Sequence, residues 1–293
     1  LRFDRDAERF MKSDADRLVS LAGLLAARSL PYSVVKTGEA RHVVVRMGKS
    51  RPRLAFAAHY DRIRGSPGAL DNSCACLQLI EFAARKAAAP DYAESGDSEG
   101  ATSRSTAASG SPSFLVAFTD AEEAPGSGEA TRQGAYSLAL RLKAAYGTGK
   151  AMATIVLDVT GRGGRLLLST APAGLLARTG LSLSDAASGH LALVGLARRA
   201  AARAGIAAPL EADLPWSDDL GLTLGGLPAL AISLLPEAEA AMLAAGKRPP
   251  LWDILHTEAD SPELAEESSF GLMSSLLDAI LSELATLPEP FLY

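Results

Sequence analysis

Apolar residues occur along this chain in short continuous runs, and segments with helical spacing lie between them. Arg53 to His59, Phe114 to Thr119, Ala151 to Leu157 and Ala229 to Leu234 each read as a strand buried on both faces. Arg165 to Ser169 is a shorter run of the same kind. Tyr32 to Val35 and His42 to Met47 alternate like a hairpin with Gly38 in its turn. The intervening segments repeat at helical intervals. Asp4 to Ala27 points Phe10, Leu18, Leu21 and Leu25 one way until Pro31 stops it. Leu77 to Ala88 carries Leu77, Ile80, Phe82 and Ala84. Glu129 to Tyr146, the Ala-rich stretch His190 to Ala204 and a terminal helix or helix pair over Ser261 to Leu287 complete the set. Strands alternating with helices predict an α/β fold: a mixed, mostly parallel central sheet with helices on both faces. Residues 90–112, rich in Ser, Gly, Ala and acidic side chains, read as a flexible surface loop. Strands of one kind resume on each side of it, so residues 1–293 are expected to form one domain.

Composition narrows the class. A hydrophobic fraction of 48% over 293 residues allows a large core and excludes a disordered chain. The net charge is -5 and no basic run stands out, so nucleic acid is not an expected partner. No uncharged apolar stretch has membrane-spanning length. The chain starts at Leu1 rather than Met, which leaves processing or truncation, and hence the compartment, open. Cys74 and Cys76 stand two apart in an expected helix and point apart. They read as small core residues, not as a disulfide or a metal pair. Reduced thiols fit a cytoplasmic setting without excluding export.

In sheets of this class ligands gather at the carboxyl ends of the strands, and the polar residues here collect at such ends. His59 and Asp61 follow one strand and share a face, so a carboxylate stands behind an imidazole that can bind metal through its other nitrogen. Asp71 opens the next helix. Glu122 and Glu123 follow the second strand, Asp158 the third, and His256 comes after the Ala229 strand. Two imidazoles and three carboxylates suit zinc better than calcium or magnesium, which prefer oxygen alone. The set exceeds the three protein ligands usual for one catalytic zinc. Two zinc ions about 3.5–4 Å apart, sharing one carboxylate and a bridging hydroxide, account for it. Asp71 is then the shared ligand, with His59 and Asp158 on one ion and Glu123 and His256 on the other. Glu122 is left free as general base and acid, taking a proton from the attacking water and passing it to the leaving amine. The remaining polar residues read as structural. Asp120 is a loop or helix-cap residue and Asp260 is an N-cap; Asp218 and Asp219 lie in a loop, as structural residues or supports behind the ligands, with contact to a substrate amine as the alternative. His42 and His190 are surface or capping residues, Arg162 and Arg165 are solvated charges, and Trp216 and Trp252 serve as pocket or packing residues.

The ordered set His59-Tyr60-Asp61, Asp71-Asn72, Glu122-Glu123, Leu157-Asp158 and His256-Thr257-x-x-Asp260 resembles the dizinc aminopeptidases of metallopeptidase family twenty-eight. Ser217-Asp218 followed by Gly226-Leu227-Pro228-Ala229 adds to the likeness. The resemblance implies a zinc-exopeptidase-like three-layer sandwich, a non-proline cis peptide at Asp71–Asn72, and release of the first residue from a peptide with a free N-terminus. Ser73 to Cys76, Ala124 to Gly128, Asp219 and Leu255 depart from the pattern. They bear on the substrate pocket more than on the metals. Two other functions compete: a single-zinc, glutaminyl-cyclase-like aminoacyltransferase and a non-catalytic binding relative. Asn72, the absence of Trp before His256 and the intact ligand set favour the peptidase. Oligomeric state and the preferred first residue are not legible.

Overall fold

The computed structural model describes residues 3–90, 92, 112–124, 129–147, 152–179 and 184–288. Most of the loop expected at 90–112, and most of the departure at 124–128, lie outside these residues.

Eight strands form one sheet among the described residues: β1 (Ser33–Thr37), β2 (Ala40–Met47), β3 (Leu54–His59), β4 (Phe114–Thr119), β5 (Ala153–Leu157), β6 (Arg165–Ser169), β7 (Leu210–Ala212) and β8 (Ala229–Leu235). Their spatial order is β1-β2-β4-β3-β5-β8-β6-β7. The inner block β4-β3-β5-β8 is parallel, while β1 to β2, β2 to β4 and β6 to β8 are antiparallel. The mixed, mostly parallel sheet expected from the sequence is therefore present.

The period of two within each strand decides which layer each residue joins. Leu54, Phe56 and Ala58 pack with Phe114, Val116, Phe118, Ile155 and Ile232 on one face. That face is covered by α2 (Arg17–Ala27), α3 (Cys74–Ala87), α6 (Ser184–Arg203) and α10 (Glu267–Thr286). Phe56, Phe82 and Phe114 meet there with ring centroids 5.4–5.8 Å apart. Each such buried ring contributes about 1.5–3 kcal/mol relative to exposure. The other face presents small residues, Ala55, Ala57, Ala117, Ala229 and Ala231, to α4 (Gly134–Tyr146) and α7 (Asp218–Leu224). His59 and Asp158 continue the registers of Ala57 and Val156, so both leave their strands toward this second face.

Several expected elements change. The long N-terminal helix is two, α1 (Arg5–Phe10) and α2, because Asp4 and Asp16 each accept a main-chain N–H three residues on, at 2.8 and 3.1 Å. A side chain that caps so well starts a new helix rather than continuing an old one. Helix α4 begins at Gly134 instead of Glu129, with the Gly134 N–H committed to the Ala121 carbonyl. The terminal segment is a single turn over Pro262–Leu264 followed by α10. Asp218 and Asp219 form the first turn of α7, not a loop. Strand β7 and helices α5 (Ala171–Thr179), α8 (Glu237–Ala244) and α9 (Leu251–Ile254) carry too weak a periodicity to be read from sequence. No helix among the described residues is long and apolar enough to cross a membrane.

Candidate metal centre

Five segments converge beyond the carboxyl ends of the parallel strands. His59 closes β3 and is buried, with Nε2 3.0 Å from Asp71 Oδ1 and 3.6 Å from Asp158 Oδ1. Its Nδ1 faces the other way, 3.3 Å from the main-chain oxygen of Asp61 and 3.6 Å from Asp61 Oδ1. His59 and Asp61 stand together, although β3 ends at His59 and Asp61 lies in the loop beyond it.

Asp71 is not the first residue of a helix. It sits in an irregular turn, Ala69–Ser73, ahead of α3, in extended backbone, and the Asp71–Asn72 peptide is cis. Asp260 holds this turn from outside, accepting the N–H groups of Leu70 at 2.7 Å and Asp71 at 3.2 Å. Asp260 is thus a clamp on the Asp71 turn rather than a cap on the terminal helix, and burial raises its pKa to about 6. Asn72 donates from Nδ2 to the Leu157 carbonyl at 2.8 Å and accepts the Val159 N–H at 3.3 Å. It therefore fixes the main chain on both sides of Asp158.

The second carboxylate pair is set by Asp61. Its two oxygens accept the N–H groups of Glu122 at 3.3 Å and Glu123 at 2.9 Å. Glu123 Oε1 then lies 3.0 Å from His256 Nε2, and Asp71 Oδ2 lies 2.9 Å from the same nitrogen. Glu122 is buried in the same cluster, with Gln133 Nε2 3.5 Å from Oε1 and a carboxylate oxygen within 4.8 Å of donor atoms of His59 and Glu123. Three non-glycine residues at the site have left-handed backbone: Ala121 (φ 63°), Val159 (φ 53°) and His256 (φ 65°). Such conformations gather where a side chain must be aimed against local preference.

Among the described residues, three groups of donor atoms lie close enough to hold an ion: His59, Asp71 and Asp158; Asp71, Glu123 and His256; and His59, Glu122 and Glu123. The first two share Asp71. Asp158 Oδ1 is buried with no hydrogen-bond partner, as a carboxylate oxygen meant for a cation would be. The donor set fits zinc: imidazole nitrogens plus carboxylates, with one ring nitrogen of His59 backed by a carboxylate.

Proton affinities show the same concentration of negative charge. Burial would lower the His59 pKa, but Asp158, Asp61 and Asp71 outweigh it and hold it well above the ordinary value. Hydrogen bonds with Asp71 and Glu123 lift His256 to about 10. Burial raises Glu122 well above the usual carboxylate range and raises Glu123 as well, despite the opposing pull of the nearby imidazoles. Burial would raise Asp71 too, but His256 and His59 overcome it and hold the group low. All six residues expected at the site, and Asp61 behind them, are therefore gathered.

The residues assigned to structure behave differently from expectation in four places. His42 is fully buried, not superficial: it bonds Thr37 Oγ1 through Nε2 at 2.8 Å and accepts the Asp120 N–H at Nδ1. His190 is buried against the Ala229 carbonyl. Asp120 clamps β2 to the loop after β4, accepting the Arg41 N–H at 2.8 Å. Asp218 and Asp219 are fully buried; Asp218 accepts from the Thr119 hydroxyl and Asp219 from the Ala231 N–H, and burial raises each to about 7. Arg162 pairs with Glu266 at 3.4 Å. The two cysteines are free and buried, as expected. Sequence reasoning missed Gln133, which lines the site cavity beside Glu122 together with Ser217 of the Ser217-Asp218 pair. Nothing in the local sequence marks Gln133, because α4 supplies the approach. The cavity, of about 380 Å³, opens from the acidic cluster toward Leu214, Trp216, Trp252 and Leu255. Both tryptophans line it.

Solved structures share this architecture. A Zn-dependent exopeptidase from Parabacteroides distasonis aligns with a TM-score of 0.64 at 14% identity, over 94% of each chain. The Legionella pneumophila LapA aminopeptidase aligns at 0.62 and 17% identity, over 94% of this chain and 68% of that one. A glutaminyl cyclase from Porphyromonas gingivalis aligns at 0.60 and 16% identity, over 92% and 88%. At these identities the likeness defines the fold class, that of the zinc exopeptidases and glutaminyl cyclases. The sequence is more specific: the family model for peptidase family M28 matches residues 42–280, and the chain belongs to that family. No curated protein gives a significant match.

Proposed function

We propose that this chain is a zinc-dependent aminopeptidase that hydrolyses the first peptide bond of a peptide with a free N-terminus. The observation that carries the reading is Asp71, shared between two ligand triplets, with a buried Glu122 beside them that belongs to neither. His59, Asp71 and Asp158 would hold one zinc, and Asp71, Glu123 and His256 the other. When bound, the ions supply Lewis-acid polarisation of the scissile carbonyl and of the attacking water.

The chain's own groups do the rest. Glu122 takes the proton as the water oxygen bonds to the carbonyl carbon, then gives it to the departing nitrogen as the C–N bond breaks. The products are a free amino acid and a peptide shorter by one residue. Burial raises the Glu122 carboxyl pKa above that of an exposed glutamate, which favours this double duty. Asp61 keeps Glu122 and Glu123 in register through their main-chain amides. The apolar wall of Leu214, Trp216, Trp252 and Leu255 receives the first side chain, and the carboxylates at its base suit a cationic α-amine.

Glu122→Gln tests the reading. Turnover of an amino-acid arylamide should fall about 10²- to 10⁴-fold, while zinc per chain, counted by elemental analysis or anomalous scattering at the zinc edge, stays at the wild-type value. Activity that survives the substitution removes Glu122 as the base. The second reading, a single-zinc glutaminyl cyclase, draws on the likeness to such an enzyme, which the chain spans to 88%, beside an exopeptidase that it spans to 94%. One zinc per chain, with turnover of a glutaminyl peptide and none of the arylamide, would select it.

A further inference from the structure

Arg17 lies outside the residues that match the family, yet its guanidinium reaches the two segments that carry His59 and Asp71. It is the first residue of α2, set by the Asp16 cap, and its side chain is buried. Nε donates to the Tyr60 carbonyl at 2.6 Å, one residue beyond His59. Nη1 donates to the Phe10 carbonyl at 2.7 Å and to Ser73 Oγ at 2.8 Å. Ser73 Oγ in turn donates to the Gly68 carbonyl at 2.5 Å, closing the turn that presents Asp71. The Phe10 ring stacks under the guanidinium, 3.7 Å from its carbon to the ring centroid.

A buried cation is costly, and this one spends its hydrogen bonds on two carbonyls and a hydroxyl, with Nη2 left without a partner. Fold stability alone would be served as well by an apolar side chain stacked on Phe10. What a planar fork does that such a side chain cannot is hold two separate strips of main chain at a fixed spacing. The strips here are the one ending in His59 and the one containing Asp71, whose side chains stand 3.0 Å apart. Arg62 braces the same region, donating to the Ala15 and Pro67 carbonyls.

We propose that Arg17 is a positioning residue for the metal centre, setting the distance between the His59 and Asp71 segments from the N-terminal helices. The inference rests on the metal-site reading above. The device needs a hydroxyl at position 73, which Ser73 supplies.

The test compares the wild-type chain with Arg17→Lys, Arg17→Met and Ser73→Ala. Zinc affinity is titrated against a zinc-binding chromophore, and thermal unfolding is followed with and without zinc. Lysine keeps the charge but loses the fork. Arg17→Lys and Arg17→Met should therefore bind zinc about 10- to 100-fold more weakly, as loss of groups behind metal ligands generally does. Ser73→Ala, which cuts only the relay to Gly68, should lose affinity in the same direction. The gap between zinc-loaded and zinc-free unfolding temperatures should narrow. A purely structural Arg17 would lower both temperatures together and leave zinc affinity unchanged; that result overturns the proposal. If the Arg17 variants do not fold, Ser73→Ala decides: wild-type affinity in that variant overturns it. A wild-type chain that binds no zinc at all defeats the metal-site reading and this inference with it, whereas zinc binding equal in all four proteins defeats this inference alone.

Discussion

Replacing Asp61 by Asn isolates the group that ties the imidazole side of the site to the carboxylate side. Asp61 accepts two amide hydrogens from the Glu122-Glu123 loop and faces the His59 ring, with about a fifth of its side chain exposed (18%). Asparagine keeps the shape and leaves the main-chain contact to His59 Nδ1 in place. It has one acceptor oxygen instead of two, so an amide N–H meets an NH₂ group. Bonds to a charged acceptor are worth about 1.5–3 kcal/mol and neutral ones about 0.5–1.5. The change therefore weakens one bond by about 1 kcal/mol and removes the other, worth about 1.5–3 kcal/mol, and partial exposure brings the sum down to about 2 kcal/mol. That energy is what holds Glu123 where it meets His256, so it reappears as roughly 30-fold weaker zinc binding, inside the range of about 10- to 100-fold for groups behind a ligand. A chromophore competition titration reads the affinity, and arylamide turnover at saturating zinc reads the alignment of Glu122. Zinc affinity within about twofold of wild type, with unchanged turnover, would refute the argument. It would mean that the close packing of Gly134 on the Asp120 carbonyl positions the loop without Asp61.

That packing gives its own prediction. A methyl group on Gly134 would stand 1.8 Å from the Asp120 oxygen and 3.0 Å from His42 Cε1, so Gly134→Ala must shift α4 or the loop. Overpacking of this kind costs about 1–3 kcal/mol, seen as a lower unfolding temperature together with reduced turnover; an unchanged unfolding temperature would show that the loop yields freely. Burial depresses the His42 pKa to about 4, below the unfolded value near 6.5. The unfolded chain then binds a proton that the folded one refuses, so this contribution is complete above pH 6.5 and is lost as the pH falls toward 4, by about 3 kcal/mol in all. Denaturant titrations at pH 7 and pH 4.5 should show a smaller loss in His42→Gln than in wild type. The difference between the two proteins is the quantity to read, because Asp218 and Asp219, raised to about 7 by burial, act with the opposite sign. Burial also holds Cys76 near 12 and Cys74 higher, so neither thiol should react with a disulfide reagent until the chain unfolds; rapid labelling of the folded protein would contradict this.

The parts of the fold and site that were legible share one physical basis: they follow from a period carried in the sequence itself. Four apolar runs defined the parallel block, and the rule that polar groups gather at strand ends selected His59, Glu122, Glu123 and Asp158. The turn holding Asp71 joined them through its acidic character and the family resemblance. What was not legible depends on approach between distant segments. His42 and Asp120 look like surface residues because each is polar and lies near a turn. His42 is inside and Asp120 half-buried because α4 descends onto them at Gly134, and no local pattern announces where a helix will land. Asp218 and Asp219 read as loop residues for a related reason. Each carboxylate is anchored through one oxygen, by Thr119 on β4 and Ala231 on β8, so burial, usually signalled by apolar residues, is here achieved by acids.

Asp61 marks the boundary between the two kinds of residue. The strand period placed it behind His59, and its carboxylate does face that ring. Its shorter contacts, though, run to the amides of Glu122 and Glu123, which enter from the end of the neighbouring strand. The β3 to β4 register pairs His59 with Thr119 and brings those amides within reach. The His-x-Asp pattern therefore disclosed that an acid would stand beside the histidine. The parallel register adds a second task for the same acid, aligning the carboxylate loop with the imidazole, and so one substitution at position 61 should disturb both halves of the metal centre at once.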